Sequence, residues 1–213
     1  EELFLASRLI RGLGSDSIDY RLRHAEFTPF EGVRWLGTSI ASLSTLQSVL
    51  VFGSNLRKDH PLFAQRIRQA ARHGCAVHSV NSVAYDWAMP VTTSVVVPAS
   101  GWIRMLAQIA AAVAEVKAIE LPKDIAETVG EPARAIAASL LAGERKAILL
   151  GTGAAHHAQA SSILALVQWI ATHTGATFGY LSEAANTVGA QFVGAQPLGK
   201  GFNAAEMLAG KVK

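Results

Sequence analysis

The apolar positions alternate between two periodicities along the chain, and that alternation predicts the fold. Leu3, Leu5, Leu9, Ile10 and Leu13 recur at helical spacing, and Gly14 supplies the left-handed stop that such a helix favours. After a polar stretch through His24 and a loop to Gly37, Ser48–Phe52 forms a short, valine-containing apolar run. A run of this kind suits a strand buried on both faces. It leads through Gly53–Ser54–Asn55 to a helix starting near Pro61, where proline fits the first turn. That helix should bury Phe63, Ile67, Ala70 and Ala71 and end at Gly74, with Arg68, Arg72 and His73 near its negative pole.

Ala76–Val80 reads as a second strand and Val95–Pro98 as a third. Alanine-rich helices follow over Gly101–Ala118 and Pro122–Ala142. Ala147–Leu150 is again strand-like and runs through Gly151–Thr152–Gly153 into a helix over about His156–His173. Thr177–Leu181 reads as one more strand, followed by the glycine-punctuated stretch Asn186–Gly201 and a helix over Ala204–Ala209. Strand, glycine turn, helix, strand thus occurs twice. The expected class is α/β, a parallel sheet with helices on both faces. The 213 residues form one domain or two packed lobes, 1–145 and 146–213.

Composition narrows the chemistry. Half of the residues are hydrophobic, enough for a core that buries on the order of 70% of the unfolded surface. The net charge of +3 is mild, and its arginines are spread over helix faces without interleaved aromatics, which argues against nucleic-acid binding. Cys75 is the only cysteine. An iron–sulfur cluster needs about four thiolates, so this stretch cannot hold one alone, and disulfide scaffolding is excluded. The most apolar segment, Gly101–Ile119, carries Arg104, Gln108, Glu115 and Lys117, so direct membrane insertion is not expected and the chain should be soluble. Glu1–Glu2 opens straight into a helical pattern and Lys213 closes where another strand would begin, which suggests an excised fragment.

The two glycine turns are the candidate ligand sites. Gly53–Ser54–Asn55 and Gly151–Thr152–Gly153 each end a strand, the place where open parallel sheets bind ligands, and amides at a helix start can hold phosphate. Any strand-to-helix connection uses glycine in the same way, so the turns alone favour a structural role. Gly194–Lys200 matches a phosphate-loop spacing, but Gly201 stands where serine or threonine is needed and Pro197 removes an amide. His156 and His157 are adjacent and, on a helix, would diverge by about 100°; they read as polar residues at a helix start. Asp86, Glu183 and Glu206 show no pairing, no GxSxG elbow exists, and Trp35, Trp87, Trp102 and Trp169 read as core packing. No catalytic residue and no metal ligand is assigned.

Three segments together carry a resemblance: Glu1–Arg23 with its Gly14–Ser15–Asp16–Ser17–Ile18–Asp19–Tyr20–Arg21–Leu22–Arg23 end, Val49–Gly74 around Gly53–Ser54–Asn55–Leu56–Arg57–Lys58–Asp59–His60–Pro61, and Glu183–Gly194 with Ala185–Asn186–Thr187–Val188–Gly189–Ala190. Their order resembles the molybdopterin oxidoreductase superfamily, over nearly the whole chain. Within it the match is nearest to the large iron–sulfur subunits of bacterial NADH:quinone oxidoreductase (complex I).

The resemblance implies Rossmann-like units of the formate dehydrogenase/DMSO reductase-like domain. Where molybdenum enzymes carry a metal-ligating cysteine or selenocysteine followed by histidine, this chain has Ala25–Glu26. Where they end the second strand in Asp-Pro-Arg, it has Asn81–Ser82–Val83. The implied role is therefore structural and cofactor-free, with vestigial pterin-nucleotide turns at Gly53, Ser54, Asn55, Asn81, Gly151, Thr152, Gly153 and Asn186. Iron–sulfur clusters would lie in the parent subunit upstream of Glu1, the partners would be other peripheral-arm subunits, and the location would be the cytoplasmic side of the bacterial inner membrane. Two further readings stay open: a genuine molybdopterin or tungsten-pterin oxidoreductase lobe, and a nucleotide-binding module using the same turns.

Overall fold

A computed structural model describes residues 1–28, 30, 32–122 and 128–211. Among the described residues five strands form one sheet: β1 (Ser48–Phe52), β2 (Ala76–Asn81), β3 (Thr93–Val96), β4 (Lys146–Leu150) and β5 (Thr177–Tyr180). The order is β3-β2-β1-β4-β5 and every pairing is parallel. The α/β class expected from the sequence is therefore observed. Strand β1 pairs with β2 on one side and β4 on the other, so the chain reverses its direction of winding between β1 and β4.

All five residues of β1 and of β4 are buried, including Ser48, which bonds Ser139, and Lys146, whose Nζ donates to the Thr174 carbonyl at 2.6 Å. Successive side chains point to opposite faces. Leu50, Phe52, Ile148 and Leu150 face α4 (Trp102–Lys117), α5 (Glu131–Leu141) and α7 (Ala160–Thr174). Val49, Val51, Val77 and Leu149 face α3 (Pro61–Arg72) through Ala64, Ile67 and Ala70. Each fully buried leucine or isoleucine contributes roughly 1.5–3 kcal/mol. The outer edge of β5 is covered by residues 35–37: the Tyr180 amide donates to the Trp35 carbonyl at 2.8 Å. Gly37 and Gly179 permit this approach, because a Cβ on either would collide with the backbone of the other segment.

Several boundaries differ from the sequence expectation, for local reasons. The third strand begins two residues earlier than Val95, because Thr93 and Ser94 already pair with His78 and Ser79; it stops before Pro98, which has no amide to donate. The helix expected from Pro122 starts at Glu131. Pro132 stands in its first turn and disfavours helix before it, while residues 123–127 of that expectation lie outside the described residues, as does Lys213. The helix expected over His156–His173 is two pieces, α6 (Thr152–Ala155) and α7, so His156 and His157 occupy the turn between them. The chain also makes the short α2 (Leu56–Asp59) before α3, and α8 (Thr187–Phe192) within the glycine-punctuated stretch. The amino-terminal α1 (Glu2–Gly12) and carboxy-terminal α9 (Ala204–Leu208) flank these layers, and Arg11 anchors α1 by donating to the Gly194 carbonyl at 2.7 Å.

Candidate functional site

The reversal between β1 and β4 is where an open parallel sheet offers a ligand crevice, and both glycine turns lie there. Gly53 follows β1 with φ of 66°, and Gly151 follows β4. They face one another and leave no gap. The Gly151 amide donates to the Phe52 carbonyl at 2.8 Å and the Gly153 amide to the Gly53 carbonyl at 2.9 Å. A Cβ on Gly151 would stand 2.5 Å from the Gly53 oxygen, and one on Gly153 would stand 2.8 Å from the Trp102 ring. These glycines are small so that two turns and an indole can pack together.

Two further amides of the first turn are engaged. The Gly53 amide donates to Val80 at 2.9 Å, and the Asn55 amide donates to the Asp59 carboxylate at 3.2 Å, toward which Ser54 Oγ also points at 3.5 Å. Asp59 thus puts a negative charge where an anion would have to sit. Thr152 opens α6, which like α2 is a four-residue turn with little summed dipole. Asn81 ends β2, 3% exposed, and its Nδ2 has no hydrogen-bond partner. Asn186 is exposed and sits apart, lining a cleft of about 520 Å³ with Tyr20, Arg23, Glu183 and Thr187.

Polar chemistry gathers instead beside the end of β5. His24 Nε2 lies 3.2 Å from Glu183 Oε1, and His156 Nε2 contacts Glu183 Oε2. The hydrogen bond from His24, then that from His156 and both ring charges, outweigh burial and bring the Glu183 carboxyl down to about 2. The sequence gives no hint of this group, since residues 24, 156 and 183 come from three distant loops. The adjacency of His156 and His157 misleads: in the turn they separate, and His157 packs flat against Trp102 with its Nε2 3.0 Å from the Ala99 carbonyl oxygen.

Hydrogen bonds tie together the framework around this group. Asp19, fully buried, holds Arg21 through two bonds of 2.8 and 3.0 Å and accepts the Ala204 amide at 3.2 Å. Glu26 accepts the Ser161 amide at 2.8 Å and so caps α7, a helix of 15 residues. Against burial, which raises it, these hydrogen bonds from Ser161 and one from Thr28 hold the Glu26 carboxyl below its ordinary range. Gln191 ties Tyr20 to residue 34 by donating to Tyr20 Oη at 2.8 Å and accepting the Arg34 amide at 2.6 Å. Asp86 pairs with Arg57 at the surface, and Glu206 completes a capping box with Asn203. Trp87 and Trp102 are buried as expected for core residues, whereas Trp35 is 53% exposed.

The sequence matches the molybdopterin oxidoreductase family over residues 1–213. The chain belongs to that family. The fold agrees with a chain of the formyltransferase/hydrolase complex (FhcABCD) from Methylorubrum extorquens, solved in complex with methylofuran, at a TM-score of 0.57 and 16% identity. The alignment covers 98% of this chain and 62% of that one, so the family domain here spans under two thirds of its structural neighbour. At that identity the likeness concerns the fold alone. No curated protein sequence matches the chain.

Among the described residues no thiolate stands at the ligand edge. Cys75, the one thiol, lies before β2, at the opposite edge of the sheet, where burial pushes it up to about 11. A thiol held protonated is a poor metal ligand. At the ligand edge, Glu26 of the Ala25–Glu26 pair is committed to α7, and the amides of Gly53, Asn55, Gly151 and Gly153 are spent on backbone and on Asp59.

Proposed function

We propose that this chain is a structural, pterin-free domain of the large iron–sulfur subunit of a bacterial NADH:quinone oxidoreductase. It supports electron transfer from NADH to quinone in the assembled complex without taking part in the chemistry. The observation that carries this reading is the closed pair of glycine turns at the β1–β4 reversal, in a chain that belongs to a cofactor-binding family. A domain retained with its ligand crevice filled by its own backbone serves as a scaffold.

Two further features support it. Helix α1 and the Leu13 that follows it leave Phe4, Leu5, Leu9 and Leu13 exposed, a row of apolar side chains suited to burial against further parts of a larger assembly. Among the described residues no helix is long and apolar enough to cross a membrane, in keeping with a place in the peripheral arm. The clusters would be bound by cysteines outside this chain, and the partners would be the other peripheral-arm subunits on the cytoplasmic face of the inner membrane.

The second reading is a lobe of a genuine molybdopterin-dependent enzyme such as a formate dehydrogenase, favoured by family membership itself. Membranes from a strain whose large iron–sulfur subunit lacks this segment distinguish the two. Loss of NADH:quinone activity together with failed assembly of the peripheral arm is expected. Normal NADH:quinone activity with loss of a molybdenum-dependent formate:dye activity would establish the second reading instead.

A further inference from the structure

We propose that His24, His156 and Glu183 form a binding site for a divalent transition-metal ion of the zinc type. The proposal concerns this chain's own side chains and is independent of the subunit assignment. Each residue offers one ligand atom, and these atoms all lie within 4.8 Å of one another. Two imidazoles with one carboxylate are a donor set that zinc accepts, at about 2.0–2.2 Å per ligand. Tetrahedral ligands at that radius are roughly 3.3–3.5 Å apart, so small side-chain rotations would bring all three into place. Both histidines already direct Nε2 at the carboxylate, with ring centroids 5.0 Å apart and planes tilted by 55°. They are therefore placed to share one ion.

The surroundings suit an ion that keeps an open coordination position. The three side chains are 9%, 19% and 16% exposed, shielded enough to strengthen a charge contact yet reachable from solvent. His24 and Glu183 also line a cavity of about 20 Å³ with Tyr180 and Gln191, room for a single water molecule. That water would be the fourth ligand. Arg34 borders the same cavity, with its guanidinium stacked 3.8 Å above the Phe30 ring. The three ligands come from the loop after α1, the α6–α7 turn and the loop after β5. An ion here would clasp three parts of the chain that meet only in the folded state, so binding would also stabilise the fold.

The test is calorimetric titration of the purified, tag-free, chelator-treated chain with zinc chloride, followed by cobalt(II) chloride monitored by visible absorption. One zinc per chain with dissociation constant in the micromolar range or below is expected, and cobalt should give the intense visible bands of a tetrahedral site. His156→Ala and Glu183→Gln should each weaken binding by on the order of 100-fold, since even the loss of an outer partner costs roughly 10–100-fold. His60→Asn and His73→Asn should leave it unchanged. Absence of one-to-one binding at millimolar zinc would overturn the proposal. So would binding that survives both ligand substitutions at full strength, and the cobalt spectrum of the unsubstituted chain keeps the test valid should a variant misfold.

Discussion

The β1–β4 reversal and the cluster beside β5 stand at the same edge of the same sheet and are opposites. At the first, glycine, backbone amide and indole close on one another, so the place most suited by topology to hold a ligand is filled. At the second, two histidines and a glutamate from distant loops converge, and His24 and Glu183 line a water-sized cavity. Glycine therefore marks close packing at least as readily as it marks a phosphate cradle. What separates the two is how many neighbouring amides are free, and here Val80, Phe52, Gly53 and Asp59 accept those of Gly53, Gly151, Gly153 and Asn55.

The comparison can be broken most severely at the buried frame of the polar region. Asp19→Ala leaves Arg21, 3% exposed, without its partner, and chemical denaturation should show a loss of about 3–5 kcal/mol. At the closed region, Gly151→Ala places a methyl against Gly53 and Ser54. A destabilisation of about 3 kcal/mol is expected from the same measurement, and a neutral outcome would mean that the turns are not in contact.

Acid acts in separate pH windows on the core of the sheet and on the cluster beside β5. His78, buried on β2 without a side-chain partner, is pushed by burial from 6.5 to about 4. The folded state thus binds its proton later than the unfolded state, and stability falls as pH drops from about 6.5 to about 4, by up to roughly 3 kcal/mol. His78→Leu should flatten that limb of a stability–pH curve. The Glu183 carboxyl is depressed from 4.5 to about 2, so its contribution is complete above about 4.5 and fades as pH falls toward 2. Glu183→Gln should remove this lower limb and leave the upper one. The smallest effect is expected from Asp59→Ala, which frees the Asn55 amide: about 1 kcal/mol of lost stability, with no gain of phosphate affinity by calorimetry.

Strands β1 and β4 were legible because each is a short, largely apolar run that ends at a glycine, and β1 lies where the run Ser48–Phe52 places it. The helix of Pro61–Arg72 was equally plain, since proline starts it and Gly74, at φ of 90°, follows its end. The break between α6 and α7 was not. Residues 154–160 are good helix formers, and the turn exists because His157 docks on Trp102 and Glu26 caps the new start at Ser161. Both are contacts across more than 50 residues of chain. The same reason hid the His24–His156–Glu183 group, which has no spacing that a linear pattern could express. Asp59 is the subtler case. It stands in a segment that marks the family, yet its carboxylate occupies the Asn55 amide.

Metal analysis of the purified chain, from cells supplied with molybdate and tungstate, tests the central claim most directly. Molybdenum and tungsten should both be far below one atom per chain. Either metal near one per chain, accompanied by released pterin fluorescence, would contradict the account.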